Sequence, residues 1–164
     1  MGYFIRKAEK TDLPAIETIY AGARIFMEEH GNPTQWSGGY PSRTLLEQDI
    51  EKEKLYLVCE CTEIRGVFYF AVEADPTYAV ILEGSWNADQ SYGVIHRIAG
   101  DGSGGILRTA VRYALNQSGY VRIDTHEDNY VMQNALSRLG FIRCGIIYIE
   151  DGSPRIAYDC ICAE

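Results

Sequence analysis

The sequence contains no apolar stretch of the roughly 20 residues that a membrane-spanning helix needs. Its first residues, Met1–Lys7, carry two charges but are not followed by the long apolar segment of a secretion signal. Internal repeats, linkers and low-complexity tracts are also missing. We therefore expect one domain over residues 1–164, in the cytoplasm and without a membrane partner.

Basic residues are scarce, since 15 Lys and Arg stand against 23 Asp and Glu, for a net charge of −8. They form no stripe along the chain, which argues against nucleic acid as a partner. An acidic surface suits a cationic amine acceptor, although solubility alone also accounts for it. The five cysteines have no histidines at metal-ligand spacing, so we expect free thiols and no metal.

The periodicity of apolar residues predicts an α/β (α+β) protein. Strands are predicted over residues 3–8, 55–61, 64–72, 92–99, 120–125, 141–149 and 155–162. Helices are predicted from the N-cap Thr11 to Gly31, after the N-cap Ser42, over 106–115 and over 129–139. Residues 77–91 show no clear period and allow a short strand at 80–82. The hairpin and the strand–helix–strand unit together predict a mixed sheet.

The segment Gly100–Gly105 holds four glycines in six residues, between a predicted strand and a predicted helix. Such a turn lets main-chain amides approach an anion, and the helix N-terminus adds a partial positive charge. A phosphate or pyrophosphate is the ligand class that this favours, although a purely structural turn has the same composition. No Lys-Ser or Lys-Thr follows the last glycine, which excludes a Walker A loop.

Asn129 opens the last predicted helix, and Gly140-Phe141 follows it at a spacing of eleven and twelve residues. Together with the glycine-rich turn and the order of elements, this resembles the GNAT family of N-acetyltransferases over essentially the whole chain. The resemblance implies a GNAT fold, with a single centrally splayed sheet of about seven strands and about four helices. It also implies acetyl-CoA as cosubstrate, held by Ile98, Ala99, Gly102, Ser103, Gly104, Gly105, Ile106 and Asn129.

Three positions depart from the family pattern, two in the turn and one at the expected catalytic tyrosine. Gly102 stands where the family's turn usually has Arg or Gln, and Leu107 stands where it has Gly or Ala. Arg108 is one candidate for the missing charge, and a solvated helix-surface arginine is the other interpretation. Many family members carry a tyrosine that protonates the leaving thiolate seven residues after the motif asparagine, where this chain has Leu136.

Acetyl transfer to an amine requires a base that takes the ammonium proton near neutral pH. His96 is the first candidate, because it lies two residues before Ile98 and an imidazole titrates in the useful range. Glu83 is the second, provided that burial raises its pKa. Tyr148 is a candidate proton donor. Each of them also has an ordinary structural interpretation, as a sheet histidine, a surface carboxylate and a packed strand tyrosine.

Five aromatic residues lie in or beside irregular segments, where binding residues concentrate, and their ring faces attract ammonium groups. They are the candidate substrate-binding residues: Trp36, Tyr40, Tyr78, Trp86 and Tyr92. The sequence thus predicts an acetyl-CoA-dependent N-acetyltransferase in which a primary amine of a small molecule or peptide attacks directly in a ternary complex. The alternatives are a non-catalytic acyl-CoA-binding or sensing domain and an unrelated α/β fold. A homodimer is a further expectation.

Overall fold

The computed structural model describes residues 2–162, and these contain seven strands and four helices, as the sequence predicts. The strands are β1 (Phe4–Lys7), β2 (Leu55–Glu60), β3 (Glu63–Val72), β4 (Gly93–Gly100), β5 (Tyr120–Thr125), β6 (Ile142–Tyr148) and β7 (Pro154–Ile161). The helices are α1 (Leu13–Glu29), α2 (Arg43–Glu51), α3 (Ile106–Ser118) and α4 (Tyr130–Arg138). No helix in this range is long and apolar enough to cross a bilayer.

The strands form one mixed sheet in the order β1-β2-β3-β4-β5-β7-β6. The β1–β2, β2–β3, β5–β7 and β6–β7 pairs are antiparallel, whereas β4 and β5 are parallel. The parallel register joins Gly93 to Val121 and Val94 to Arg122. The α/β class and the mixed sheet are thereby confirmed.

Helix α1 begins later than predicted. Lys10–Asp12 forms a 3-10 turn, so Thr11 lies within this turn and Asp12 is the N-cap residue. The Asp12 carboxylate accepts the Glu9 amide at 2.8 Å and pairs with Arg6 at 2.9 Å, which fixes this turn ahead of the helix. The predicted cap of α2 is confirmed, since Ser42 Oγ accepts the Leu45 amide at 3.2 Å.

The chain folds as two compact units. The first unit comprises the residues up to Phe70 together with His96–Tyr113, and the second comprises Ala71–Ile95 together with the residues from Ala114 onward. The first unit therefore contains the glycine-rich turn, α1 and α2. Its core is formed by buried side chains of α1, α2, β2 and β3, including Ile16, Tyr20, Leu46, Leu57 and Phe68. Burial of such apolar side chains is the main favourable contribution to folding.

In the second unit, the segment between the 3-10 turn Pro76–Tyr78 and β4 is irregular but firmly held. The sequence allowed a short strand at residues 80–82. The structure has a single bridge to β6 there, with two hydrogen bonds of 2.8 Å between Leu82 and Ile146. A Cβ atom on Gly84 would lie 1.8 Å from the Cys144 carbonyl oxygen. Only glycine permits this approach, and the segment is therefore pressed against β6.

Candidate functional site

The glycine-rich turn links the end of β4 at Gly100 to the start of α3 at Ile106. Gly102 and Gly105 have φ angles of +96° and +86°, a backbone region that side chains other than glycine rarely adopt. Nothing lies within 4 Å of a Cβ placed on Gly102 or Gly104. The turn is thus an open loop whose shape depends on glycine.

Main-chain amides without a helical partner lie where α3 begins. The first helical hydrogen bond runs from the Thr109 amide to the Gly105 carbonyl at 3.0 Å, so the amides of residues 106–108 precede the helical ladder. Amides in this position, together with the helix dipole, form a site for an anion. The structure therefore fits the interpretation of residues 102–106 as a phosphate cradle.

The position of this helix start is set by the side chain of Ile106. A Cβ on Gly66 of β3 would lie 2.5 Å from Ile106 Cγ2, and one on Gly100 would lie 3.1 Å from Ile106 Cγ1. The two glycines thus leave room for one buried isoleucine between the strands and the helix. On the other side of the turn, the Tyr3 hydroxyl donates to the Gly104 carbonyl at 2.8 Å.

The turn also carries a carboxylate. Asp101 accepts the Ser103 amide at 2.9 Å and pairs with Arg65 Nη1 at 3.2 Å. Burial raises the pKa of Asp101, but the hydrogen bonds from Ser103 and Arg65 outweigh it and hold this pKa below its ordinary value. Arg65 pairs with Glu63 and Glu60 as well, at 2.7 and 3.5 Å.

Arg65 therefore supplies a positive charge beside the turn, among three carboxylates. Sequence reasoning missed this contact, and the signal that would have found it is the strand register. The Asp101 amide donates to the Arg65 carbonyl at 2.9 Å, which places the two residues side by side. Arg108, the residue that the sequence suggested for the missing charge, is exposed on the first turn of α3.

His96 lies in β4 with its ring 5.6 Å from the ring of Tyr69, and it is partly exposed. Ile98 and Ala99 follow it in the same strand, so the first candidate base and the predicted cofactor contacts share one strand. Between them stands Arg97, which has a φ angle of +51°. This angle is strained for a residue other than glycine, and such strain concentrates at functional sites.

The first unit also contains two of the predicted substrate-binding aromatics, on the loop between α1 and α2. Trp36 is buried and packs edge-on against Tyr20 at 5.6 Å. Tyr40 is exposed, its ring lies 6.3 Å from that of Trp36, and its hydroxyl accepts from Arg97 Nη1 at 3.3 Å. The loop that carries them is therefore linked to β4 beside His96.

The other predicted substrate aromatics lie in the second unit, where Trp86 and Tyr92 contact a cation of the chain itself. The guanidinium carbon of Arg122 lies 4.3 Å from the ring centre of Trp86 and 4.1 Å from that of Tyr92. Arg122 also donates to the Ala88 carbonyl at 2.8 Å and to the Tyr120 hydroxyl at 3.1 Å. Ring faces that the sequence assigned to an acceptor thus bind Arg122, a buried residue of β5.

Tyr78 is fully buried and donates to Asp124 at 2.6 Å, and burial raises its pKa well above the ordinary value. These contacts make Tyr78 part of the packing of the second unit. Next to Arg122, Tyr120 donates to the buried Asp159 at 2.7 Å. Asn87 donates to the same carboxylate through its amide at 2.8 Å and through Nδ2 at 2.9 Å.

Asn129 is buried at the start of α4, where its side chain accepts the Met132 amide at 3.1 Å. The motif asparagine is therefore the N-cap of this helix. Leu136 is completely buried, which places an apolar core side chain where the family often has a tyrosine. Glu83 is exposed with a φ angle of +59°, and Tyr148 is half-exposed on β6.

The predicted residues thus fall into two groups. The first unit brings together His96, Ile98, Ala99, the turn, Trp36 and Tyr40, whereas Tyr78, Glu83, Trp86, Tyr92, Asn129 and Tyr148 lie in the second unit. Across residues 2–162, no three His, Cys, Asp or Glu side chains form a group that could hold a metal ion.

The fold recurs in solved acetyltransferase structures. A GNAT-family acetyltransferase from Streptococcus agalactiae matches with a TM-score of 0.90 and 28% identity, over 100% of this chain and 98% of that one. The chain is similar in fold and sequence to a GNAT-family acetyltransferase along its whole length. The predicted GNAT resemblance is therefore confirmed, and with it the predicted fold.

More distant solved structures share the fold alone. A GNAT-family acetyltransferase from Listeria monocytogenes matches with a TM-score of 0.71 and 20% identity, over 98% of this chain and 95% of that one. The NatC complex bound to Gag peptide and CoA contains a chain that matches with a TM-score of 0.55 and 15% identity, over 99% of this chain and 100% of that one. No protein-family model and no curated protein matches this sequence.

Proposed function

We propose that this protein transfers an acetyl group from acetyl-CoA to a primary amine of a small molecule or peptide. The observation that carries the proposal is the match to the Streptococcus agalactiae acetyltransferase over the whole chain, at a TM-score of 0.90. The NatC complex, a distant structure of the same fold, binds CoA and a peptide. That pair of ligands supports an acyl donor and an amine acceptor for this chain as well.

The turn is the proposed contact for the pyrophosphate of acetyl-CoA, through the amides of Gly102–Ile106. Its open glycines and the amides that precede the α3 ladder support this role. Ile98 and Ala99 are proposed to offer main-chain groups to the pantetheine arm. Asn129 is proposed to support the cofactor site indirectly, because its side chain caps and fixes the start of α4.

In the proposed reaction the acceptor amine attacks the thioester carbonyl directly, the carbon–sulfur bond breaks and CoA leaves as a thiolate. The attacking amine must first be neutral, so a base takes a proton from its ammonium form. His96 is the proposed base; Glu83, the alternative from the sequence, is exposed and so lacks the burial on which that role depended. Tyr148 is the candidate that would give a proton to the thiolate, since Leu136 has none to give, and the proton that the nitrogen loses as the amide forms would restore the tyrosine.

Trp36 and Tyr40 are the aromatic residues that best support an acceptor role, because Tyr40 is exposed and both lie on the loop linked to β4. Contacts within the second unit hold the other three, Tyr78, Trp86 and Tyr92, and these contacts support a role in the packing of that unit. Acceptor identity, homodimer formation and a cytoplasmic location remain predictions.

Isothermal titration calorimetry with acetyl-CoA tests the donor, and absence of binding would remove the proposal. A thiol-release assay over polyamines, amino acids, aminoglycosides and peptides then tests transfer. Within that assay, His96→Gln should reduce the rate and remove the ionisation of the base from the pH–rate profile, while the affinity for acetyl-CoA stays close to that of the wild type. Glu83→Gln is the matched comparison, and the variant that leaves the profile unchanged is not the base.

A second function is favoured by one observation, the completely buried leucine at position 136. A GNAT domain without a proton donor there could bind an acyl-CoA as a sensor and transfer nothing. Binding of acetyl-CoA combined with inactivity over the whole amine panel would support this alternative over the enzyme.

A further inference from the structure

Arg97 has the most constrained backbone of strand β4. Its φ angle of +51° lies in the left-handed region, within a strand that continues from Gly93 to Gly100. A residue stays in such a conformation only where surrounding contacts hold it. Here the main-chain carbonyl of Arg97 accepts the Tyr20 hydroxyl of α1 at 2.6 Å.

The side chain of Arg97 is held at the same time by three other elements of the first unit. Its Nε and Nη2 atoms donate to Asp49 Oδ2 of α2, at 3.0 and 2.8 Å. Its guanidinium carbon lies 4.7 Å from the ring centre of Tyr69 on β3. The ion pair is largely buried, with side-chain exposures of 12% for Arg97 and 5% for Asp49. Such a fork is rigid, which allows the third nitrogen to fix a further group.

That further group is Tyr40, whose hydroxyl accepts from Arg97 Nη1 at 3.3 Å. Tyr40 belongs to the loop between α1 and α2, which has glycines at positions 31, 38 and 39 with positive φ angles. The Tyr40 carbonyl accepts from Arg24 at 3.1 Å, and the Tyr40 ring packs against Trp36. The hydroxyl bonds this loop to β4.

We propose that Arg97 is a positioning residue: the Asp49-bound guanidinium holds Tyr40, and through it the loop with Trp36, at a fixed place beside the strand of His96. The proposal rests on the proposed function in one respect, namely that this loop binds the acceptor amine. Arg97 itself touches neither donor nor acceptor in the proposal. Its loss is therefore expected to disturb acceptor binding and to spare acetyl-CoA binding.

Tryptophan fluorescence tests the link without knowledge of the acceptor. The chain has two tryptophans, so Trp86→Phe leaves Trp36 as the single reporter of the loop. In this background we expect Tyr40→Phe and Arg97→Lys each to increase acrylamide quenching of Trp36 about twofold, because the loop opens more often. Since both remove the same bond, the double variant should be quenched no more than the stronger single one. Tyr130→Phe and Arg112→Lys, at exposed positions, are the matched controls.

Loss of Arg97 would leave Asp49 buried and unpaired, so Arg97→Lys keeps the charge and Tyr40→Phe leaves the ion pair intact. Unchanged quenching in Tyr40→Phe, or additive effects in the double variant, would overturn the proposal. So would an Arg97→Lys variant that binds acetyl-CoA more than tenfold more weakly in calorimetry, because the residue would then act on the donor strand. A wild type that binds no acetyl-CoA refutes the proposed function but leaves the quenching result to decide the role of Arg97.

Where an amine such as spermidine or a short peptide is acetylated, the same variants give a kinetic test. Arg97→Lys and Tyr40→Phe should raise KM for the amine several-fold, while KM for acetyl-CoA stays within about twofold. Equal increases in both constants would count against a role on the acceptor side alone and would refute the proposal.

Discussion

Replacing Arg122 by methionine should destabilise the second unit, because it removes a cation around which that unit is built. The methionine keeps the length of the apolar stem but none of the guanidinium contacts. Those contacts are the two ring faces at 4.3 and 4.1 Å and the hydrogen bonds to Ala88 and Tyr120.

The magnitude follows from these contacts. Each cation–π contact with a desolvated ring contributes about 1 kcal/mol. Each hydrogen bond from a charged donor contributes about 1.5 kcal/mol or more. Part of the sum is offset, because the variant avoids the free-energy cost of removing a guanidinium from water. A loss of about 3 kcal/mol in the free energy of unfolding is therefore expected, which for a chain of this size corresponds to a fall in Tm of roughly 10 °C.

Urea denaturation followed by Trp86 fluorescence measures this loss, in a Trp36→Phe background that leaves one reporter in the second unit. Arg122→Lys keeps the charge but not the planar fork, and should fall between the wild type and Arg122→Met. The exposed Arg112 is the control position, and Arg112→Met should change stability by less than about 0.5 kcal/mol.

A stability of Arg122→Met within 0.5 kcal/mol of the wild type would refute the reasoning. The rings of Trp86 and Tyr92 would then be free to serve an outside ligand, as the sequence suggested. A large loss, in contrast, identifies them as contacts of Arg122 that shape the unit.

Three further predictions concern other contacts. Asp101→Asn should tighten acetyl-CoA binding about five-fold at low salt, because a carboxylate beside the proposed phosphate cradle is removed; calorimetry at two salt concentrations checks this, and a variant whose affinity equals that of the wild type at low salt would contradict it. Gly84→Ala should destabilise the protein by more than about 3 kcal/mol in urea denaturation, because its Cβ would collide with the Cys144 carbonyl; a folded variant of wild-type stability would refute that contact. Burial raises the pKa of Asp159, but its hydrogen bonds from Asn87 and Tyr120 lower it below the ordinary value, so the stability it provides is present above about pH 4 and lost below. Asp159→Asn should therefore cost about 2 kcal/mol or more at pH 7 and much less at pH 3, and an equal cost at both values would contradict the assignment.

The sequence predicted the elements well because their signals are local. Apolar periodicity located all seven strands and four helices, and Ser42 was a correct cap. Thr11 was wrong as the cap of α1, because a carboxylate one residue later is held by Arg6, a contact that arises only once β1 and the helix start are packed together.

Fewer features of the candidate site could be predicted from the sequence. The glycine-rich turn could be identified because its backbone requirement is visible in composition. The partners of the aromatic residues could not, because Arg122 lies 36 residues from Trp86 in sequence and reaches it only through the fold. The same holds for Arg65 at the turn and for Arg97 with Tyr40, since pairings between distant elements leave no local pattern.

The isoleucine that begins α3 has a consequence for how this protein could be tuned. Ile106 fills the space left by two glycines, one on β3 and one on β4, so its side-chain volume contributes to the height of the helix start. Trimming this residue to valine or reshaping it to leucine would move the amides of the turn by a fraction of an ångström without altering a single group that faces an anion. Donor affinity could then be graded by steric adjustment alone, through the buried side chain of a residue whose main-chain amide is a proposed contact.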